Sequence, residues 1–369
     1  MNVRDYVLKV ASRCNLNCSY CYMYHHADQS YRTQPLLMSE QVVHAVARRV
    51  EEHRRGDSDA MVRLTLHGGE PLLFGKERLI ELVRTFDQVL GEYQLGLQTN
   101  GVLLDESWIE LLNRLNIFVG ISIDGPEVYH DRYRVDHQGR GSHSRVEQAI
   151  RLLQSSAAGQ RIFGSTLTVV DLSCPPETLY AYLRGLDLLN FDILLPDHNL
   201  QYPPEQQEDA PYGKYLARLF ECWLSENNPG VQIGFFEDAI GLMLRKSIPN
   251  SFWGLHALPI AVIETDGSLE PPDYFKSCAP EITKQGLNVL HDPIQSLLET
   301  SLMQQILEPE PSLCSTCRGC QWKEVCGGGL LSHRFHEQNQ FDNPSVYCAD
   351  IEYFLACTAV ALDTHLAAS

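Results

Sequence analysis

The 369-residue sequence has no run of about 18 to 20 apolar residues, and so no segment able to cross a bilayer as a helix. It also lacks the basic, apolar and small-residue zones of a signal peptide, since its opening "MNVRDYVLKV" reads as a strand. Clustered cations are missing. Lys and Arg number 29 against 47 Asp and Glu, the formal net charge is −18, and the two signs are mixed along the chain. Phosphate backbones are held by clustered Lys and Arg, so no nucleic-acid partner is expected. A negative surface suits a basic peptide or serves solubility alone. These absences point to a cytoplasmic protein with no membrane partner. Disulfides are scarce in that reducing compartment, so the 12 cysteines read first as metal ligands.

What is present is a βα rhythm. A hydrophobic content of 44% supports a sizeable core, and the length suits one barrel-sized domain with an extension, or two domains. Short apolar runs alternate with helical patterns: "YVLKVA", a helix over 39–54, "VRLTLHGG", a helix over 76–90, "YQLGLQTNG" and a helix over 105–115. Then follow "IFVGISIDG", a helix over 144–156, "RIFGSTLTVV", a helix over 176–186 and "FDILLPDHN". The alternation predicts an α/β fold with a parallel sheet flanked by helices. Six units predict a partial (β/α)6 relative of the eight-unit TIM barrel, with its chemistry at the C-terminal strand ends. The proline-bearing stretch 201–213 reads as a loop, followed by helical patterns over 214–225 and 235–246. After about residue 260 the texture becomes turn-rich and then cysteine-rich. The predicted domains are a barrel over 1–200, a helical bridging and substrate-side region over 201–260, and a metal-bound module over 261–369.

"CNLNCSYC" places Cys14, Cys18 and Cys21 on a loop straight after the first strand. Thiolates at that spacing reach three irons of a [4Fe–4S] cubane, whose complete set is four ligands. The remaining iron stays open. A structural zinc wants four protein ligands, and no fourth cysteine or well-spaced histidine is near; His25 and His26 read as loop residues. With Tyr20 before the third cysteine, the segment resembles the signature of the radical S-adenosylmethionine (SAM) enzymes, whose fold is typically a partial (β/α)6 barrel. The resemblance implies that SAM chelates the open iron through its amino and carboxylate groups, and that an electron from the cluster releases a 5′-deoxyadenosyl radical. "LHGGEP" resembles the family's GGE segment, which implies that Gly68, Gly69 and Glu70 meet the SAM amino group; glycine permits close backbone approach. "LQTNG" and "SIDG" end the next two strands and put Gln98, Thr99, Asn100, Ser122 and Asp124 at the barrel mouth. By resemblance Ser122 and Asp124 are ribose-side candidates, and Arg134 in "HDRYR" a carboxylate-side one. Taken singly, each serves equally well as a turn former or cap.

"CSTCRGCQWKEVC" and "FDNPSVYC" supply Cys317, Cys320, Cys326 and Cys348. Four thiolates close a [4Fe–4S] cluster to outside ligands; a four-cysteine zinc site has the same donors, and spacing alone does not separate the two. The pattern resembles the second half of a SPASM domain, the extension of radical SAM enzymes that modify peptides and proteins, which implies an auxiliary [4Fe–4S] cluster. It departs from the full pattern where Pro271 and Pro272 replace a cysteine after the "DG" turn, and where Leu330 replaces another. A second auxiliary cluster is therefore expected to be absent, leaving Cys278, Cys314 and Cys357 without a role. Cys174 and Cys222 read as ordinary buried thiols. "VCGGGL", "HRF" and "FDNPSVYC" resemble the cyclophane-forming radical SAM/SPASM peptide maturases, which join an aromatic ring to an aliphatic carbon in ribosomally made precursor peptides.

That resemblance implies a mechanism. The cofactor-derived radical takes hydrogen from an unactivated C–H group, while the protein supplies position and electrostatics. Addition to an aromatic ring then releases one electron, which the auxiliary cluster accepts, and one proton, which goes to a carboxylate or histidine. Asp197 and His198 at the sixth strand end lead as catalytic candidates, followed by Glu237 and Asp238; a turn cap is the alternative role for Asp197. Expected partners are a ribosomal precursor peptide and a reductant such as flavodoxin or ferredoxin. The chain starts almost directly at its first strand, so leader capture falls to the barrel edge, the SPASM surface or a separate leader-binding protein. Rival enzymatic readings are formylglycine formation of the anaerobic sulfatase-maturating type and thioether formation. The non-enzymatic rival is an iron-sulfur electron carrier.

Overall fold

In the computed structural model, which describes residues 3–55, 61–205, 209–256 and 258–368, each of the six apolar runs becomes a strand. In chain order these are β1 (Asp5–Ala11), α1 (Glu40–Arg54), β2 (Val62–Gly68), α2 (Lys76–Val89), β3 (Tyr93–Thr99), α3 (Glu106–Arg114) and β4 (Ile117–Ser122). They continue as α4 (Glu127–Tyr133), α5 (His143–Ser155), α6 (Ala157–Ile162), β5 (Phe163–Val169), α7 (Pro176–Gly185) and β6 (Asn190–Leu194). Next come α8 (Pro211–Glu226), β7 (Gln232–Ile233), α9 (Gly234–Met243), β8 (Ile260–Ile263), β9 (Leu269–Glu270), α10 (Ile294–Leu298) and α11 (Ser301–Leu307). Short helices α12 (Ser315–Arg318) and α13 (Lys323–Cys326) precede the long α14 (Cys348–Ala368).

Local chemistry fixes these boundaries. The Ser39 side chain accepts from the Val42 amide at 3.3 Å and starts α1, whose inner face is Val42, Val43, Val46 and Val50. Asp105 does the same for α3, accepting from the Trp108 amide at 2.7 Å. The proline-bearing stretch is shorter than expected, because Pro211 opens α8 as a favoured first-turn residue; residues 206–208 of it lie outside the described residues. The short α4, α6 and β7 and the strands β8 and β9 were not legible as separate patterns, nor was α14.

The chain divides into two interleaved units: Met1–Ile123, His130–Thr166 and Pro259–Gln304 form one, and Asp124–Tyr129, Leu167–Leu258 and Gln305–Ser369 the other. In the first, the hydrogen-bonded order is β4-β3-β2-β1-β8-β9. Every pairing there is parallel except β8 with β9. Leu8 of β1 stands between Leu66 and Ile263, in a core with Leu64, Val119 and Ile121, each at most 1% exposed. In the second unit β6 pairs with β7 in parallel, and an aromatic core gathers Phe220, Phe235, Phe236, Trp253 and Phe354. No helix among the described residues is long and apolar enough to cross a membrane.

One irregularity positions the site. The register of β1 on β2 shifts between Lys9, opposite His67, and Ala11, opposite Gly68. Bulges of this kind re-aim side chains beside active sites. The cysteine loop begins directly beyond it.

Candidate active site

Backbone amides aim at the sulfurs of this loop. The Leu16 amide donates to Cys14 Sγ at 3.3 Å, and the Met23 and Tyr24 amides donate to Cys21. Burial, followed by Glu70 and the neighbouring thiols, nevertheless pushes Cys14 up to about 12. Burial and then Cys18 push Cys21 up to about 12 as well. Amide donors favour the thiolate and burial disfavours it. An iron-sulfur cluster resolves that conflict, because ligation removes the thiol proton and brings cationic iron, so the donor set fits one. Among the described residues no three His, Cys, Asp or Glu side chains converge as a single ion requires, with each donor about 2 Å away.

Beside Cys14 lies a buried carboxylate network. Glu70 is fully buried; its Oε1 accepts from the Thr99 hydroxyl at 2.7 Å and the Leu72 amide at 3.0 Å, and its Oε2 from the Asn100 amide at 2.9 Å. Burial raises the Glu70 carboxyl despite these donors. Asn100 Nδ2 reaches Cys14 Sγ at 3.5 Å and Asn15 Oδ1 at 2.8 Å, which links the third strand end to the cysteine loop. Gly69 has an internal reason to be glycine: a Cβ there would lie 2.0 Å from the Tyr24 hydroxyl and 2.3 Å from the Arg13 carbonyl carbon. A side chain at Gly69 is thus excluded by the chain's own loop.

The other predicted binding residues form two pairs and one outlier. Arg134 Nη1 donates to the Tyr20 hydroxyl at 2.6 Å, and Gln98 Nε2 donates to Ser122 Oγ at 3.0 Å. Asp124 belongs to the second unit, where it accepts from the Val169 amide at 3.1 Å.

A second charged group in the first unit escaped the sequence reading. Lys9 is fully buried on β1 and forms an ion pair with Asp273, while its Nζ lies 2.9 Å from His67 Nδ1. The Tyr22 hydroxyl, one residue past Cys21, donates to Asp273 Oδ2 at 2.7 Å. Burial alone would raise the Asp273 carboxyl, but Lys9 and His67 outweigh it and hold the group well below the usual carboxylate range. Burial, then Lys9, push His67 down to about 3. The available signal was a lysine inside the apolar run "YVLKVA", since a charge there needs a buried counter-ion.

In the second unit, His198 Nδ1 lies 3.3 Å from the Tyr202 carbonyl oxygen, and burial lowers its pKa. Asp197 sits beside the Tyr347 phenol, whose hydroxyl donates to the Pro196 carbonyl at 2.9 Å. His333, 1% exposed, packs edge-on to Tyr347 with centroids 5.0 Å apart and is held near 3 by burial and then His198. Glu237 is exposed on α9, and Asp238 beside it accepts from Asn250. Burial raises both carboxyls.

The C-terminal cysteines gather in this unit too. Burial comes first in raising Cys317, Cys326 and Cys348, and each also feels other thiols of the set. The Trp322 amide donates to Cys320 Sγ at 3.4 Å, and the Gly328 and Gly329 amides donate to Cys326. Gly327, Gly328 and Gly329 all take positive φ, at 62°, 86° and 69°, a path only glycine follows readily. These four sulfurs fit a closed cluster as the first three fit an open one. Pro272 and Leu330 offer no thiol, and Cys278 is buried in the first unit.

The radical SAM superfamily pattern matches residues 8–170. The cysteine-type anaerobic sulfatase-maturating enzyme of Clostridium perfringens is 28% identical over 362 residues, which are 93% of this chain and 93% of that protein. The uncharacterized protein MJ0907 of Methanocaldococcus jannaschii is 31% identical over 229 residues, 59% of this chain and 71% of that one. The solved structure of native anSMEcpe with bound AdoMet and Cp18Cys peptide matches with a TM-score of 0.79 at 25% identity and covers 98% of both chains.

Proposed function

Since the chain belongs to the radical SAM superfamily, enzymes built on SAM and a [4Fe–4S] cluster, we propose that it modifies a peptide or protein by removing hydrogen from it. The observation that carries this reading is the junction of Cys14 with Asn100 and, through the Asn100 amide, with the buried Glu70 network. Cys14, Cys18 and Cys21 would hold the cluster, with SAM beside the Glu70 and Arg134–Tyr20 groups. Together those cofactors supply a 5′-deoxyadenosyl radical able to attack an unactivated C–H bond. The chain's own residues exclude water, orient the substrate and manage a proton.

For that proton we place Asp273 ahead of Asp197, His198, Glu237 and Asp238. It is ionised by its Lys9 ion pair, and Tyr22 ties it to the loop bearing Cys21. Asp273, through the carboxylate oxygen other than the Oδ2 to which Lys9 and Tyr22 donate, would accept the proton released when a substrate ring regains aromaticity. It is a weak base, suited to the acidic proton of an oxidised ring adduct, and Lys9 would hold the carboxylate in place until then.

The finer reading is a carbon–carbon crosslink between an aromatic ring and an aliphatic carbon. It is supported by the single complete C-terminal cysteine set and by Pro272 and Leu330 where a fuller set has thiols. A second reading, formylglycine formation, is favoured by the 93% coverage of the sulfatase-maturating relative. Anaerobic co-expression with an aromatic-rich short peptide, followed by tandem mass spectrometry, separates them. A crosslink removes two hydrogens, keeps sulfur and suppresses fragmentation between the joined residues, whereas formylglycine is captured by a hydrazide. Failure of the reconstituted protein to release deoxyadenosine from SAM would contradict both.

A further inference from the structure

One segment of the first unit does more than connect its neighbours in the chain. Residues 130–143 run alongside the N-terminal cysteine loop, where the Asn17 amide donates to the Val135 carbonyl at 2.7 Å and the Ser19 amide to the Tyr133 carbonyl at 3.2 Å. His137 Nε2 donates to the Cys14 carbonyl at 2.9 Å. Arg134 falls between Tyr133 and Val135, and its Nη1 donates to the Tyr20 hydroxyl, so the backbone that pairs with the loop also delivers the guanidinium to it.

Both backbone polar groups of Arg134 are fixed from behind. Its amide donates to the His130 carbonyl at 2.9 Å, and its carbonyl accepts from the Ser142 hydroxyl at 2.6 Å. A serine hydroxyl has one hydrogen, and a carbonyl only accepts, so the Ser142 oxygen makes its remaining bond as an acceptor. The donor is His130 Nε2, 3.0 Å away, which assigns the ring proton to Nε2. Ser142 and His130 are both 0% exposed. Asp131 completes the arrangement, its Oδ1 accepting from the Ser142 and His143 amides at 2.8 Å each. The chain bends tightly around this carboxylate: a Cβ on Gly141 would lie 1.9 Å from Asp131 Oδ2.

We infer that Ser142, held by Asp131 and His130, is a positioning residue for SAM binding: it fixes the Arg134 backbone and thereby the guanidinium that meets the SAM carboxylate. Ser142 is fully buried, so its effect passes through Arg134. The inference rests on the reading above, which puts SAM beside the Arg134–Tyr20 pair, and deepens it by naming what aims that arginine. A guanidinium presents its donors in a fixed fork that suits a carboxylate, and small errors in its placement cost affinity. An arginine that swung freely would have to be ordered by the ligand itself.

The test uses the full chain, reconstituted anaerobically, and measures iron content, SAM binding by equilibrium dialysis, and dithionite-driven release of deoxyadenosine across SAM concentrations. Ser142→Ala is expected to keep its iron and to weaken SAM binding about tenfold, the size of one misplaced charge-assisted hydrogen bond. KM for SAM rises with it while kcat stays near the parent's, a split that general loosening of the fold would not produce. Asp131→Ala moves binding in the same direction, and Asp131→Asn, which keeps an acceptor for the two amides, restores it. In an Arg134→Gln background Ser142→Ala adds nothing, because residues acting through one contact are not additive. Unchanged SAM affinity in Ser142→Ala, full additivity with Arg134→Gln, or loss of iron in step with the loss of binding would overturn the inference. Should Ser142→Ala fail to fold, the Asp131 variants decide alone, and equal affinity in the two overturns it. A parent chain that holds iron but binds no SAM would overturn the radical SAM reading itself, a result distinct from the others.

Discussion

In the N-terminal loop the amide two residues on donates to the sulfurs of Cys14 and Cys21; in the C-terminal region the same step of two reaches Cys320 and Cys326. The local device is shared, and the surroundings differ. Of the first three thiols, Cys14 stands beside Glu70 and Asn100, whose polar groups are locked together with Thr99 at a strand end. The C-terminal set numbers four, wrapped by glycine backbone and by the carbonyl-bound Arg334. Thiolate count, rather than thiolate chemistry, sets what a cluster can do. An incomplete set leaves an iron for an outside molecule and a complete set leaves none.

The sharpest way to break this comparison is to remove one thiolate from each side. Cys18→Ala is expected to abolish release of deoxyadenosine from SAM. Cys348→Ala keeps that release and loses the auxiliary iron together with peptide product. Chromatography of deoxyadenosine alongside iron analysis reads both. Equal losses in the two variants would erase the distinction between an open and a closed site.

A smaller effect, on stability, comes from the charge beside the open site. Asp273→Asn leaves Lys9 buried without its anion, expected to cost about 3–5 kcal/mol in denaturant unfolding. Replacing both residues by apolar ones of similar volume recovers much of that loss. A cost near zero for Asp273→Asn would mean that the pair is solvated.

Glycine probes compare the packing of the two regions. At Gly69 the obstruction includes Arg13 backbone, and Gly69→Ala is expected to cost about 1–3 kcal/mol by overpacking. Gly327→Ala meets the Gly254 carbonyl oxygen at 1.8 Å and also has an unfavourable φ of 62°, so its cost lies at or above the upper end. Thermal melts of the two variants give the ranking.

The smallest expected effect is on pH. Burial first, then Arg134 and His143, push His130 down to about 2, against about 6.5 for an unfolded histidine. Below pH of about 6.5 the unfolded chain binds a proton that the folded chain refuses, so this contribution to stability is complete above that pH and is lost progressively as pH falls. His130→Asn should flatten the acid limb of a stability profile. A profile as steep as the parent's would assign the slope to other groups, such as His67 and His333.

The βα order was legible because strand length and helical period are local properties, and the spacing from which the two cysteine groups were read is local too. Lys9 and Asp273 lie 264 residues apart in the chain, and no local pattern pairs them. The same holds for β8, whose four residues join β1 only in space. At Gly69 the place of a Cβ is crowded by Tyr24 and Arg13, a contact across 45 to 56 positions that no local pattern shows. The C-terminal helix α14 was obscured because it starts at a cysteine already read as a ligand.

The central claim is that one cysteine set is open and the other closed. EPR of the anaerobically purified, reduced protein, recorded with and without SAM, tests it most directly. The account predicts two iron-sulfur signals of which SAM alters one, and that altered signal vanishes in Cys18→Ala and persists in Cys348→Ala. Zinc at the N-terminal thiolates, or spectra that SAM leaves unmoved, would contradict it.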